Sequence, residues 1–149
     1  MANNFTTYLL DVNVLLALFD PHHIAHDLVH GWMESIANFR WASCPITENG
    51  FIRIVTSPKY TNIHSTTEEA ISRLSEFMEG TQHYFWSDSL SFTDSKYFSF
   101  IKPCGSKQLT DIYLVGLAHK NKGKLATLDK RIRSDFTNQM KYEPITLVE

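Results

Sequence analysis

The stretch Thr7-Tyr-Leu-Leu-Asp-Val-Asn-Val-Leu-Leu-Ala-Leu18 decides the fold. Its apolar run Thr7 to Leu10 is short and stops at Asp11, and apolar residues then continue at helical density from Asn13 to Leu18. A strand followed by a short helix is the simplest reading. A carboxylate therefore stands where the strand ends. Asp20-Pro21 closes the helix, because proline lacks a backbone donor and disfavours helical geometry in the residue before it.

Further along, His22 to Asn38 places Ile24, Leu28, Val29, Trp32, Met33 and Ile36 at three-to-four spacing, which predicts a helix with one buried face. Arg40 to Cys44 reads as a strand. Pro45 suits the entry of a helix carrying Glu48, Phe51, Ile52 and Val55, and Ser57-Pro58 stops it. Ser65 to Thr67 cap another helix, with Glu68 and Glu69 in its first turn and Ile71, Leu74, Phe77 and Met78 on its apolar face. His83 to Trp86 reads as a third strand, and Phe92 to Phe100 as a short helix or an aromatic-rich loop. Residues 106 to 120 form a helix with Leu109, Ile112, Val115 and Leu117 among its apolar positions, ended by Asn121-Lys122-Gly123. Leu125 to Leu128 is a fourth strand, Lys130 to Phe136 a short helix, and Ile145 to Val148 the last strand. This alternation predicts an α/β fold with a mainly parallel central sheet of about five strands, covered by helices on both faces. Ligands of such sheets bind beyond the carboxyl ends of the strands.

Composition bounds the function. With 149 residues, 43% hydrophobic and 20% charged, the chain fits one compact domain spanning residues 1–149. Its net charge of −2 excludes a nucleic-acid binder that works by bulk positive charge. The charge is nevertheless segregated: residues 1 to 101 carry 5 Lys/Arg and 11 Asp/Glu, whereas residues 102 to 149 carry 9 and 5. Cys44 and Cys104 form no C-x-x-C pair and match no zinc-ligand spacing, which fits a reducing cytosol. The amino-terminal segment lacks a basic region, and Asp11 and Asn13 interrupt the apolar run Tyr8 to Phe19. Neither a signal peptide nor a membrane span is expected, and the expected location is cytoplasmic.

The acids fall in a pattern. Asp11 ends the first strand, Glu48 begins the helix after the second, Asp111 lies near the start of the 106 to 120 helix, and Asp129 ends the fourth strand. All four stand at the carboxyl edge of a strand or at the N-terminal end of a following helix, a placement that would let them converge on one rim. Singly, each has a plainer role as a helix cap or as a charge against the positive end of a helix dipole, worth about 0.5 to 1 kcal/mol. Together they conflict, because two carboxylates at about 4 Å repel by on the order of 4 kcal/mol at an effective dielectric of 20. A divalent cation removes that conflict, and hard oxygen donors select Mg²⁺ or Mn²⁺. No G-x-x-x-x-G-K-[ST] loop, G-x-S-x-G elbow or G-x-G-x-x-G motif offers a different chemistry.

Four segments, Leu9-Leu-Asp-Val-Asn-Val-Leu-Leu-Ala-Leu18, Ile46-Thr-Glu-Asn-Gly-Phe-Ile-Arg53, Leu109-Thr-Asp-Ile-Tyr-Leu-Val-Gly-Leu-Ala118 and Leu125-Ala-Thr-Leu-Asp129, together resemble a PIN domain. More narrowly they resemble the VapC ribonuclease toxins of bacterial toxin-antitoxin pairs, over nearly the whole chain. The resemblance implies a PIN-like α/β/α sandwich and a metal-dependent endoribonuclease, the toxin of a type II pair. Its substrate would be a structured RNA, a tRNA or an rRNA, and a cognate antitoxin would hold it inactive. A homodimer is implied as well, with helices in residues 45 to 80 as contacts. Asp11, Glu48, Asp111 and Asp129 match the family's catalytic, metal-binding quartet for Mg²⁺ (or Mn²⁺); Asn13 and Thr127 match polar residues that line the same pocket. Thr47 and Thr110, each preceding an acid, read as caps.

Phosphate contacts are expected from Arg53 and Lys59 in one half and from Lys107, Lys120, Lys122, Lys124, Lys130, Arg131 and Arg133 in the other. Tyr60, Phe85, Trp86, Tyr97 and Phe98 are candidates to stack on unpaired bases, against the plainer role of core or dimer contacts. His22, His26 and His30 share a helix face, so a three-histidine Zn²⁺ site stands beside a surface role for these residues and His23. Three other functions compete with the toxin. One is a housekeeping PIN nuclease of RNA processing, and another is a non-catalytic interaction module whose acids are caps. The third is a phosphoryl-transfer domain with Asp11 as nucleophile, where Asn13 occupies the position of an expected second acid.

Overall fold

The computed structural model describes residues 5–100, 102–137 and 142–149. Strands β1 (Thr7–Leu10), β2 (Arg40–Ser43), β3 (Gln82–Phe85), β4 (Lys124–Thr127) and β5 (Ile145–Leu147) form one sheet in the order β3-β2-β1-β4-β5, with all neighbours parallel. Parallel neighbours require crossovers, and helices α1 (Val12–Phe19), α2 (His26–Glu34), α3 (Pro45–Val55), α4 (Thr67–Gly80) and α5 (Leu109–Lys120) lie in them. None of the helices among the described residues is long and apolar enough to cross a membrane.

Successive strand residues point to opposite faces, and the two cores follow that period. Leu10, Trp41 and Ala126 pack with Val14, Leu15, Phe51 and Leu74 on the side of α1 to α4; Leu9, Ala42 and Leu125 pack with Leu114, Val115 and Leu117 of α5 on the other. The expected sandwich is therefore formed. Gly50 lets α3 lie close to α1, since a Cβ there would come within 2.8 Å of the Val12 side chain. Caps also agree with the sequence: Thr66 accepts from Glu69 N at 3.1 Å, and Thr47 Oγ1 accepts from Cys44 N at 3.0 Å. Thr110, in contrast, is simply exposed in the first turn of α5.

Two expected helices are shortened or absent. The helix predicted over 22–38 is reduced to His26–Glu34, and Ile24, expected on its buried face, is 100% exposed. Asp20 is the cause. Its buried carboxylate accepts from His22 N at 2.9 Å and Asn62 Nδ2 at 2.8 Å, as well as from the Tyr60 hydroxyl, so the chain turns before it coils again. Of the two readings of residues 92–100, the aromatic-rich loop is the one formed: the segment runs in turns, with Asp94 Oδ1 accepting from Lys96 N at 3.0 Å. The helix expected over 130–136 is also replaced by turns, because Asp129 Oδ1 takes the Arg131 backbone donor at 2.9 Å. Short polar side chains here outcompete the helical ladder. Strand ends shift by one residue at β3 and β4, and residues 106–108 form a 3₁₀ turn ahead of α5.

The histidine cluster has a structural role. His26 Nδ1–H donates to the Ala17 carbonyl at 2.7 Å and His30 Nε2–H to the Leu18 carbonyl at 3.0 Å, with ring centroids 4.3 Å apart. These are carbonyls of the last turn of α1, which have no partner within the helix. Replacing His26 by Phe keeps a ring and removes the donor; a loss of about 1 kcal/mol is expected, read as a lower urea midpoint.

Candidate active site

Strand order reverses between β1 and β4. The chain moves outward from β1 through β2 to β3 and then returns to β4 on the other side, which opens a crevice at their carboxyl ends. Asp11 is placed there by the β1 ladder, its N–H bonded to Ala126 O at 3.0 Å. As N-cap of α1, its Oδ1 accepts from Val12 N at 2.8 Å, and its Oδ2 accepts from the Thr127 hydroxyl at 2.8 Å. Thr127 is fully buried and joins the parts of the site. Its oxygen also accepts from Asn13 Nδ2 at 3.2 Å and from Asp129 N at 3.1 Å, while Asn13 Oδ1 accepts from Leu128 N at 3.1 Å. The two polar residues expected to line the pocket thus bind the ends of β1 and β4 to each other.

Asp111 enters from the first turn of α5. Burial, then the charges of Asp11 and Asp129, push its carboxyl up to about 6. Burial also raises Asp11, against the pull of its bonds from Thr127 and Val12, and Asp129 adds to the rise. Asp129 moves the other way. Arg131 grips it with Nε at 3.0 Å from Oδ1 and Nη2 at 3.2 Å from Oδ2, and these bonds hold it below the usual carboxylate range. Three acids from three elements therefore feel one another across the crevice.

Glu48 is placed differently. It lies in the first turn of α3, accepts from the Ser43 hydroxyl at 2.6 Å, and lines a groove of about 580 Å³ with Ile52, Ile71, Leu74, Met78 and Phe85. The carboxylates that raise Asp11 and Asp111 are those of the other aspartates, not that of Glu48. Among the described residues no three His, Cys, Asp or Glu side chains are already gathered as a metal cage.

The basic candidates are dispersed. Arg131 is 90% exposed beside the acids and engaged with Asp129; Arg133 pairs with Asp135, which Lys102 also approaches at 3.4 Å. Lys107 is exposed in the turn before α5, and Arg53 and Lys59 are exposed on and just after α3. Of the five stacking candidates only Phe85 is exposed, at 56%. Phe98 is in the core, Trp86 and Tyr97 pack against it, and Tyr60 is bonded to Asp20. Ser43 and His83 carry no signal in the sequence beyond a polar residue at a strand end and a lone histidine.

Two expected results follow from this geometry. Thr127→Val keeps the shape but leaves Asn13 Nδ2 and Asp129 N without their acceptor; a loss of about 2 kcal/mol is expected, measured by urea denaturation. Asp111 governs a pH dependence. A carboxyl raised to about 6 in the folded protein is protonated there while the unfolded one, near its ordinary value, is not, so its contribution to stability grows as pH falls through 6 toward 4. The gain in melting temperature of Asp111→Asn over the unaltered protein in EDTA should thus be larger at pH 7.5 than at pH 5.

No family model matches the chain. Ribonuclease VapC44 of Mycobacterium tuberculosis is 40% identical over 124 residues, which are 83% of this chain and 87% of that protein. Ribonucleases VapC39 and VapC29 of the same organism are 32% identical over 123 residues and 34% over 125, each across 83% of this chain and 88% and 86% of those proteins. Among solved structures, a chain described as FitAB bound to an IR36 DNA fragment superposes with a TM-score of 0.52 at 19% identity, covering 82% of this chain and 85% of that one. That likeness is one of fold.

Proposed function

The chain belongs to the VapC ribonucleases, and from that premise we propose that it is a metal-dependent endoribonuclease, the toxin of a type II toxin-antitoxin pair. Its proposed substrate is a structured RNA, a tRNA or an rRNA, and its proposed partner in the resting state is a cognate antitoxin. One observation carries the reading: Asp11, Asp111 and Asp129 come from separate elements to the crevice at the strand switch, where burial and mutual repulsion raise the first two.

Such a site fits Mg²⁺ or Mn²⁺ in donor chemistry and in charge, since every donor is a hard carboxylate oxygen and Arg131, bonded to Asp129, offsets one of the three aspartates. Asp11, Asp111 and Asp129, with Glu48 from α3, would hold the ion. When bound, it supplies neutralisation of the phosphate and a hydroxide-like nucleophile near neutral pH. The protein's own groups do the rest. Thr127 and Val12 N fix both oxygens of Asp11, so its orientation does not depend on the ion. Arg131 keeps N–H donors beyond the two given to Asp129, and these suit a phosphate oxygen of the RNA. Arg53, Lys59, Lys107 and Arg133 are the further phosphate contacts in this proposal.

The test is cleavage of purified tRNA and rRNA by the isolated protein in Mg²⁺ or Mn²⁺, with loss of cleavage in EDTA; full activity in EDTA overturns the metal. A homodimer through residues 45 to 80 is supported by the apolar groove of α3 and α4 and by exposed Ile71, at 53%. Light scattering should give twice the mass of the chain, and a monomer at micromolar concentration overturns the dimer.

A further inference from the structure

A chain of hydrogen bonds crossing three elements ends on Glu48, and from it we infer that Ser43 and His83 are positioning residues for the Glu48 carboxylate. The inference rests on the proposed role of Glu48 as a cation ligand and goes beyond it by naming what aims that ligand. Ser43 is the last residue of β2, fully buried, on the same strand face as Trp41. Its hydroxyl is 2.6 Å from Glu48 Oε2 and 2.8 Å from His83 Nε2.

The donor inventory sets the direction of the chain. An ionised carboxylate only accepts, and a serine hydroxyl has a single proton, so the proton of Ser43 goes to Glu48. The contact with His83 is then made by an Nε2–H that donates to Ser43 Oγ. His83, half-buried on β3, is held in turn by the indole of Trp41, at 4.4 Å between ring centroids. Trp41 Nε1–H donates to Thr81 Oγ1 at 2.7 Å, which completes the support. The consequence falls on the two oxygens of Glu48: Oε2 is taken by Ser43, and Oε1 is left for a cation. Glu48 otherwise borders a largely apolar groove, so the bond from Ser43 is what selects its side-chain conformation in this inference. Outer partners of this kind change metal affinity by roughly 10- to 100-fold when removed.

Mn²⁺ titration followed by the electron paramagnetic resonance of the free ion tests this without relying on activity. Glu48→Gln and Ser43→Ala should each weaken Mn²⁺ binding by about tenfold or more, whereas Ser43→Thr, which keeps the hydroxyl, should bind within a few-fold of the unaltered protein. In RNA cleavage, Ser43→Ala should lower kcat with little change in KM. His83 repeats the test away from the buried serine: His83→Phe should weaken Mn²⁺ binding, and His83→Gln, whose amide donates in place of Nε2–H, should restore most of it. Weak binding by Glu48→Gln together with unaltered binding by folded Ser43→Ala, or equal binding by the two His83 variants, overturns the positioning role. Unaltered binding by Glu48→Gln removes the ligand role of Glu48 itself, and the inference with it.

Discussion

Asp111→Asn is expected to reduce RNA cleavage by about 10³-fold or more and, at the same time, to raise the melting temperature of the metal-free protein at pH 7.5. The first effect follows from the proposed role of Asp111 as an oxygen ligand of a divalent cation, which would offset phosphate charge; loss of one electrostatic stabiliser of a transition state costs on the order of 10²- to 10³-fold, and a weakened hold on such an ion would cost more. The second follows from the cause of the raised Asp111 carboxyl, which is burial first and then repulsion by Asp11 and Asp129. A neutral amide of the same shape relieves both. A purely structural Asp111 predicts the opposite sign in stability, so melting in EDTA and cleavage assays on one variant separate the two roles. Asp11→Asn should abolish cleavage equally but without the same gain. Thr127 Oγ1 already accepts from Asn13 and Asp129 N, which leaves no acceptor for an amide N–H placed at Oδ2. A variant at either position that retains full cleavage overturns the proposed site.

Gly116→Val is expected to cost about 3 kcal/mol, near the upper end of ordinary overpacking, and to lower the melting temperature by about 10 °C. Gly116 lies in the middle of α5, where Ile112 to Ala118 are all buried. One side of the helix meets the sheet, and the segment 90–100 crosses the other. A Cβ on Gly116 would stand 2.4 and 2.5 Å from atoms of the Phe98 ring and 3.3 Å from Leu90. Phe98 has little room to yield, since it is 4% exposed and its ring neighbours Phe92, Phe100 and Tyr113. The double variant Gly116→Val/Phe98→Leu should recover part of the loss, a coupling that residues in contact show and distant ones do not. Additive losses would mean that the 90–100 segment does not press on α5. The same packing seats Asp111 one turn and a half before Gly116, so cleavage should fall with the fold.

The order of strands and helices was legible because it depends on local pattern. Thr7 to Leu10 and Leu125 to Thr127 are short, largely apolar runs bounded by polar residues, as suits strands buried on both faces. Polar competition hid the rest. Asp20 and Asp129 each bind a backbone donor two residues on, and these bonds converted predicted helical residues into turns. Helical spacing over 22–38 was a true pattern of apolar residues, yet Ile24 faces solvent because the turn at Asp20 shifts the start of α2 to His26.

At the site, the sequence by itself determined that acids stand at the ends of β1 and β4 and in the first turns of α3 and α5, since each follows from where a strand stops or a helix starts. Only the tertiary structure decided which of them interact. Asp11, Asp111 and Asp129 share one crevice because the strand order reverses between β1 and β4, which brings Asp11 to residues from the far end of the chain. It also decided that Arg131 is tied to Asp129, that His26 and His30 close α1, and that Glu48 is held through Ser43 by His83, 40 positions from that serine. The physical reason is range: backbone propensity and periodicity act over a few residues, whereas carboxylate repulsion and buried hydrogen bonds act between side chains that only the completed sheet brings within a few ångströms.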